Sequence, residues 1–304
     1  MSRGKPSRVS GVLVIDKPAG MTSHDVVNRV RRLFDTSEVG HTGTLDPMAT
    51  GVLPVLIGRA VKAADLLLAE NKRYEATVRL GIRTDTEDTT GAVLSETDVL
   101  PAEDDVLAAV RSMAGDSMQV PPMYSALKVG GQKLCDLARA GKVVEREARP
   151  ITVHAIEARR LSDDLYALDV ACSKGTYIRT LCADIGEKLG CGAAMASLRR
   201  VESGSFRIAD AVTLDALAAT SEEERLSLPR PVETLFSDLP AVRLSPFFER
   251  LFRSGCEIYE KKIGAAVPAG TDVRVYAEGG FIALGRVADY PDGPAVRLVK
   301  LFVV

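Results

Sequence analysis

The stretch GHTGTLDPMATGVLP, residues 40–54, constrains this chain more than any other. Its three glycines and two prolines rule out a helix, and the run VLPVLIG at its end is apolar enough for an interior strand. The chain therefore enters its core directly from a tight loop whose one acidic residue is Asp46. Leu-Asp-Pro on its own is a turn: the carboxylate can bond nearby amides, and the proline fixes the next φ. A lone aspartate among backbone-permissive residues can also serve as a nucleophile, if a cation keeps it ionised and a partner aligns it.

Length allows about two domains with a real core. The composition, 46% hydrophobic and 26% charged, is that of a globular chain. Five scattered cysteines form no C-x-x-C pair, so neither a zinc site nor a disulfide framework is indicated, which suits a reducing cytoplasm. The basic start MSRGKPSR leads into no long apolar run, and no segment reaches the roughly 18 apolar residues that span a bilayer. The expectation is a soluble, cytoplasmic protein with no membrane partner.

The formal net charge of −2 hides an uneven distribution. Residues 1–80 and 119–160 each carry about +4, whereas residues 81–118 carry about −7. A basic face that meets phosphates is compatible with such a total.

Periodicity sketches an α+β chain. GVLVIDKPAG reads as a strand from Gly11 to Ile15, followed by a turn. MTSHDVVNRVRRLF reads as a helix capped by Ser23. RYEATVRLGIRT alternates, with Tyr74, Ala76, Val78 and Leu80 on one face. The acidic piece that follows predicts a loop, a short strand and a capped helix. Residues 124–149 are rich in lysine and arginine around a Gly-Gly turn and form an excursion from the body. ITVHAIEARRL and LYALDVACSKG predict paired strands, and TYIRTLCADIGEKLGCG a helix stopped by glycine. A proline-rich boundary near Leu228–Pro240 precedes a β-rich tail. Phosphate-loop, dinucleotide and G-x-S-x-G motifs are absent from the sequence, and its three histidines lack metal-ligand spacing.

GHTGTLDPMATGVLP, preceded by KPAGMTSHDVV and followed by RYEATVRLG, PPMYSALKVGGQKL, CSKGTYIRTL and SLRRVESGSF, resembles the bacterial tRNA pseudouridine-55 synthases of the TruB type, in order and over nearly the whole chain. The resemblance implies a pseudouridine-synthase fold with a curved, mainly antiparallel sheet over residues 1–235. A thumb at about 124–149 would close on RNA, and residues 241–304 would form a small β-barrel RNA-binding PUA domain. It implies isomerisation of uridine 55 in the TΨC loop of tRNA, with the base flipped out of the loop.

Asp46 matches the nucleophile, Tyr74 the tyrosine stacked on the target base and near the proton leaving C5, and Arg179 the cation paired with the nucleophile. Tyr177 and Leu198 match pocket walls. If the segment around residue 178 is extended, Tyr177 and Arg179 share a face. His41 matches a residue inserted into the RNA loop. Lys17 and His24 are assigned to site support or RNA contact, and Lys128, Lys133, Arg139 and Lys142 to phosphates of the T stem-loop. No cofactor, metal or obligatory protein partner is implied, and a monomer is expected. Rival readings are a non-catalytic tRNA-binding chaperone, a synthase subunit guided by a separate RNA, and an aspartate-nucleophile hydrolase.

Overall fold

In the computed structural model, which describes residues 5–67, 71–125 and 127–303 and all of their side chains but that of Lys133, the alternation of RYEATVRL becomes the strand Lys72–Leu80. Its even-numbered residues are buried, as period two requires of a sheet with one face on a core. This strand runs antiparallel between Ala193–Ser203 and Leu165–Cys172. The sheet continues outward through Arg149–Arg160 to Gly115–Gln119 on one side. On the other it passes through Thr50–Ile57 and Gly11–Lys17 to Val212–Thr213. Two of these pairings are parallel, Gly11–Lys17 with Val212–Thr213 and Thr50–Ile57 with Ala193–Ser203. The result is a mixed α+β fold on a curved, partly antiparallel sheet.

The second parallel pairing positions the site, because it sets the strand leaving the Asp46 loop beside SLRRVES. Gly51 makes the close approach possible. Its φ is +100°, and a Cβ there would lie 2.2 Å from the Arg200 carbonyl oxygen. The helices Ser23–Leu33, Glu103–Arg111 and Ile178–Leu189 bury their apolar residues on one face of the sheet, in a core that includes Val26, Val110, Ile185, Val78 and Val170. Thr22, not Ser23, caps the first helix: its side chain accepts from the Asp25 amide, and Asp25 answers at the Thr22 amide. The Glu103–Arg111 helix starts at Ala102 with no side-chain cap, against the capped helix expected there.

The basic excursion holds a two-residue-strand hairpin, Lys128–Val129 with Gln132–Lys133. It turns through Gly130 and Gly131 at φ of +58° and +85° and ends in the helix Leu134–Arg139. Beyond residue 240 lies a second sheet, ordered Ala241–Arg243, Asp272–Ala277, Gly280–Tyr290, Gly293–Leu301 and Ile258–Tyr259. It also carries a helix, Pro246–Arg253, which the reading of a β-rich tail lacked. An apolar cluster joins the two sheets: Val12, Val14, Val52 and Leu56 meet Phe236, Leu284 and Phe302. The proline-rich segment is thus packed rather than free. Phe236 sits in it, with its ring centroid 5.8 Å from that of Phe302.

Candidate active site

Asp46 opens a turn closed by the Ala49 amide donating to its carbonyl at 3.1 Å, so the turn chemistry of Asp-Pro is present. The loop is pinned around it. Ser23 Oγ accepts from the Leu45 amide at 2.9 Å and donates to the Leu45 carbonyl at 3.1 Å. The Gly20 amide donates to the Pro47 carbonyl at 2.8 Å. From below, Lys17 Nζ donates to the carbonyls of Ala49, Pro18 and Pro47 at 2.6, 2.9 and 3.2 Å. The backbone is fixed on both sides of Asp46, and its side chain faces a cavity of about 480 Å³.

Arg179 reaches Asp46 Oδ2 through Nε at 2.9 Å. Its other nitrogens donate to the carbonyls of Thr86 at 2.9 Å and Tyr124 at 2.7 Å. A second carboxylate, Asp88, lies 3.8 Å from Nη1. Burial pushes the Asp46 carboxyl above its usual range, Arg179 pulls it down, and Asp88 adds an upward push. Burial also raises the phenols of Tyr74 and Tyr177 and lowers the Lys17 ammonium to about 8.

Asp46, Tyr74, Tyr177, Arg179 and Leu198 all line the cavity. The stretch holding two of them is not extended. Tyr177 is the N-cap of the helix Ile178–Leu189 and Arg179 lies in its first turn, where the Gln119 side chain anchors both the amide and the carbonyl of Tyr177 at 2.8 and 3.1 Å. Of the two roles assigned to Lys17, the structure shows the first. Lys17 is fully buried, with Nζ held by three carbonyls, so RNA contact is closed to it and support of the loop is its observed role. His24 is exposed at the start of its helix. His41 ends the strand Val39–His41 outside the cavity lining. Among the described residues its buried Nδ1 finds no hydrogen-bond partner, and its pKa is lowered first by burial and then by Arg200. Lys128, Arg139 and Lys142 are exposed on the excursion. The side chain of Lys133 lies outside the described residues.

Three groups at the site escaped the sequence reading. Lys72 and Arg200 line the cavity, and Asp88 flanks Arg179. Period two offered a signal for one of them: of the adjacent arginines in SLRRVES, Arg199 turns to Asp16 at 2.8 Å and Arg200 must then turn inward. Among the described residues, no cluster of three or more His, Cys, Asp or Glu side chains is arranged to hold a metal ion.

The fold recurs in solved structures. One is an H/ACA RNP bound to a substrate RNA containing 2'-deoxyuridine (TM-score 0.71, 26% identity, covering 97% of this chain and 85% of that one). Another is a Cbf5-Nop10-Gar1 complex (TM-score 0.71, 28% identity, 96% and 85%). Curated relatives called tRNA pseudouridine synthase B match over most of both chains. That of Aromatoleum aromaticum is 46% identical over 278 residues, 91% of this chain and 89% of the relative. That of Ralstonia nicotianae is 48% identical over 289 residues, 92% and 90%. Fold, site and relatives together define an RNA isomerase of the pseudouridine synthase class. The TruB family pseudouridylate synthase N-terminal domain matches residues 31–178, and the tRNA pseudouridylate synthase B C-terminal domain matches residues 179–237. The chain belongs to the TruB family of tRNA pseudouridine synthases.

Proposed function

We propose that this protein converts uridine 55 in the TΨC loop of tRNA to pseudouridine, with Asp46 as nucleophile on a flipped-out base. The observation that carries this reading is the Asp46–Arg179 pair at 2.9 Å, set in a cavity of about 480 Å³ that Tyr74 and Leu198 also line. Arg179 keeps the carboxylate ionised in a secluded place, and a carboxylate suffices for nucleophilic catalysis of an isomerisation. Tyr74 and Leu198 hold the base, and Tyr177 completes the wall. Unstacking a base before reacting on it is the general requirement for such chemistry.

In this reading residues 1–235 are the catalytic domain. His41 fills the stack vacated by the flipped base, and His24 lies at the RNA-facing edge. Residues 124–149 grip the T arm through Lys128, Lys133, Arg139 and Lys142, and residues 241–304 are a PUA-like RNA-binding barrel. The excursion, with its exposed basic residues, supports direct tRNA binding without a guide RNA, and the protein acts as a monomer in this reading. Tritium release from tRNA carrying 5-³H-uridine, compared between wild type and Asp46→Asn, tests the proposal. Release at a single T-loop uridine by the wild type alone is expected. Tight tRNA binding with no release from either protein would make a chaperone the better reading.

A further inference from the structure

Arg200 is the largest of the fully buried side chains among the described residues. A buried arginine is normally paired with a carboxylate, as its neighbour Arg199 is with Asp16 on the opposite face of the strand. Among the described residues, no carboxylate lies within ion-pair distance of Arg200. Its Nε donates to the Val52 carbonyl and its Nη2 to the Gly43 carbonyl, each at 2.7 Å. Tyr74 stands opposite it in the antiparallel ladder, and the nearby guanidinium favours the ionised form of that phenol. Both line the cavity that holds Asp46. The carbonyls of the catalytic loop thus fix a whole positive charge against one phenol. Its field extends to Lys17 and His41, where it disfavours protonation.

We propose that Arg200 is a positioning residue for the proton-transfer step: it holds Tyr74 Oη in place and stabilises that oxygen as the phenolate that takes the proton from C5 of the rejoined base. The C5–H electron pair returns to the ring, N1 takes a proton from water, and Tyr74 later returns its own proton to solvent. Atoms and charge balance without a cofactor. In this proposal Arg200 acts through Tyr74, its neighbour across the ladder. Burial alone would hold the phenol protonated, and the adjacent cation opposes that. Arg179 serves Asp46, and Arg200 serves Tyr74.

The inference rests on Tyr74 being the proton acceptor in the reaction proposed above. Single-turnover tritium release is measured against pH for wild type, Arg200→Gln, Arg200→Lys and Tyr74→Phe, alongside tRNA affinity. In Arg200→Gln the rise of rate with pH should move up by about one unit, a loss of about tenfold at neutral pH. Affinity should stay within about threefold, and Arg200→Lys should recover part of the rate. Tyr74→Phe and Arg200→Gln together should cost little more than the larger single loss. A loss in Arg200→Gln that is equal at every pH and additive with Tyr74→Phe would overturn the inference, leaving Arg200 a structural prop. Should Arg200→Gln not fold, additivity of Arg200→Lys with Tyr74→Phe overturns it and non-additivity supports it. A wild type that releases no tritium sinks the proposed reaction itself, and is distinguishable from both.

Discussion

Arg179 Nε lies 2.9 Å from Asp46 Oδ2, and the arginine is the more deeply enclosed partner, its side chain 5% exposed against 37% for the aspartate. The cation is anchored by carbonyls of two separate segments, Thr86 and Tyr124, so it does not depend on Asp46 for its position. The carboxylate is held at one oxygen and can turn the other toward a substrate. This asymmetry suits a nucleophile: the supporting charge is rigid and the reacting group is accessible.

Arg179→Gln should therefore act chiefly on chemistry. Burial already raises the Asp46 pKa and Arg179 opposes it, so removing the cation lifts that pKa further. In the proposed reaction the nucleophile is the ionised form, so activity is lost as pH falls through the pKa. The acid limb of the rate profile should thus lie above the ordinary carboxylate range in wild type and move higher still in the variant. A pH–rate profile under single turnover, with tRNA affinity measured in parallel, checks this. An unmoved acid limb would refute it.

Ser23→Ala should loosen the loop without emptying the cavity. The hydroxyl bonds both the amide and the carbonyl of Leu45, and leaving buried polar groups unmet costs about 1–3 kcal/mol. The expected outcome is a lower melting temperature together with a reduced rate, since Leu45 immediately precedes Asp46. Unchanged stability in thermal unfolding would mean that water or a neighbour replaces the hydroxyl.

How much of this was legible beforehand differs from residue to residue. Alternation in RYEATVRL set Tyr74 inward, and the structure agrees because a mid-sheet strand packed on one face has no freedom to do otherwise. The Asp46 turn was legible from proline and glycine. The Arg179 pairing was named through resemblance, since no local pattern links residues so far apart in the chain. Asp88 and Arg200 were missed because their positions depend on long-range crossings, the Asp88 turn bridged to Met195 and the parallel pairing of Thr50–Ile57 with Ala193–Ser203. For Lys17 the choice between site support and RNA contact was not legible for a related reason: it depends on its own neighbour Pro18 and on two carbonyls of the distant Asp46 loop, Pro47 and Ala49, which together enclose the ammonium.

Gly51→Ala should be among the most damaging single changes in the chain. An alanine at φ +100° is strained by about 1–3 kcal/mol before any contact is counted, and its Cβ would collide with backbone, at 2.2 Å from Arg200 O. The parallel pairing could persist only if the two strands separated, which would displace both the Asp46 loop and Arg200. Expected are a loss of at least about 3 kcal/mol in denaturant unfolding and loss of activity. A variant of wild-type stability would show that the crossing relaxes easily.

Lys17 offers a pH test of stability. Its folded pKa is about 8, below the ordinary 10.5, so between these values the unfolded chain binds more protons than the folded one. Stability then gains from rising pH in that window, and below about pH 8 the charged form is carried in the folded state at the full cost of its burial. Lys17→Met removes this dependence but takes the lysine's donor from the carbonyls of Pro18, Pro47 and Ala49, of which Pro47 keeps the Gly20 amide, at about 1–3 kcal/mol for a buried group left unsatisfied. The variant should be less stable than wild type at every pH, and the difference should widen from pH 8 upward. Denaturant unfolding at several pH values measures both slopes. A gap that narrows with rising pH would show that Lys17 is held as the ammonium throughout, its three carbonyls outweighing its burial.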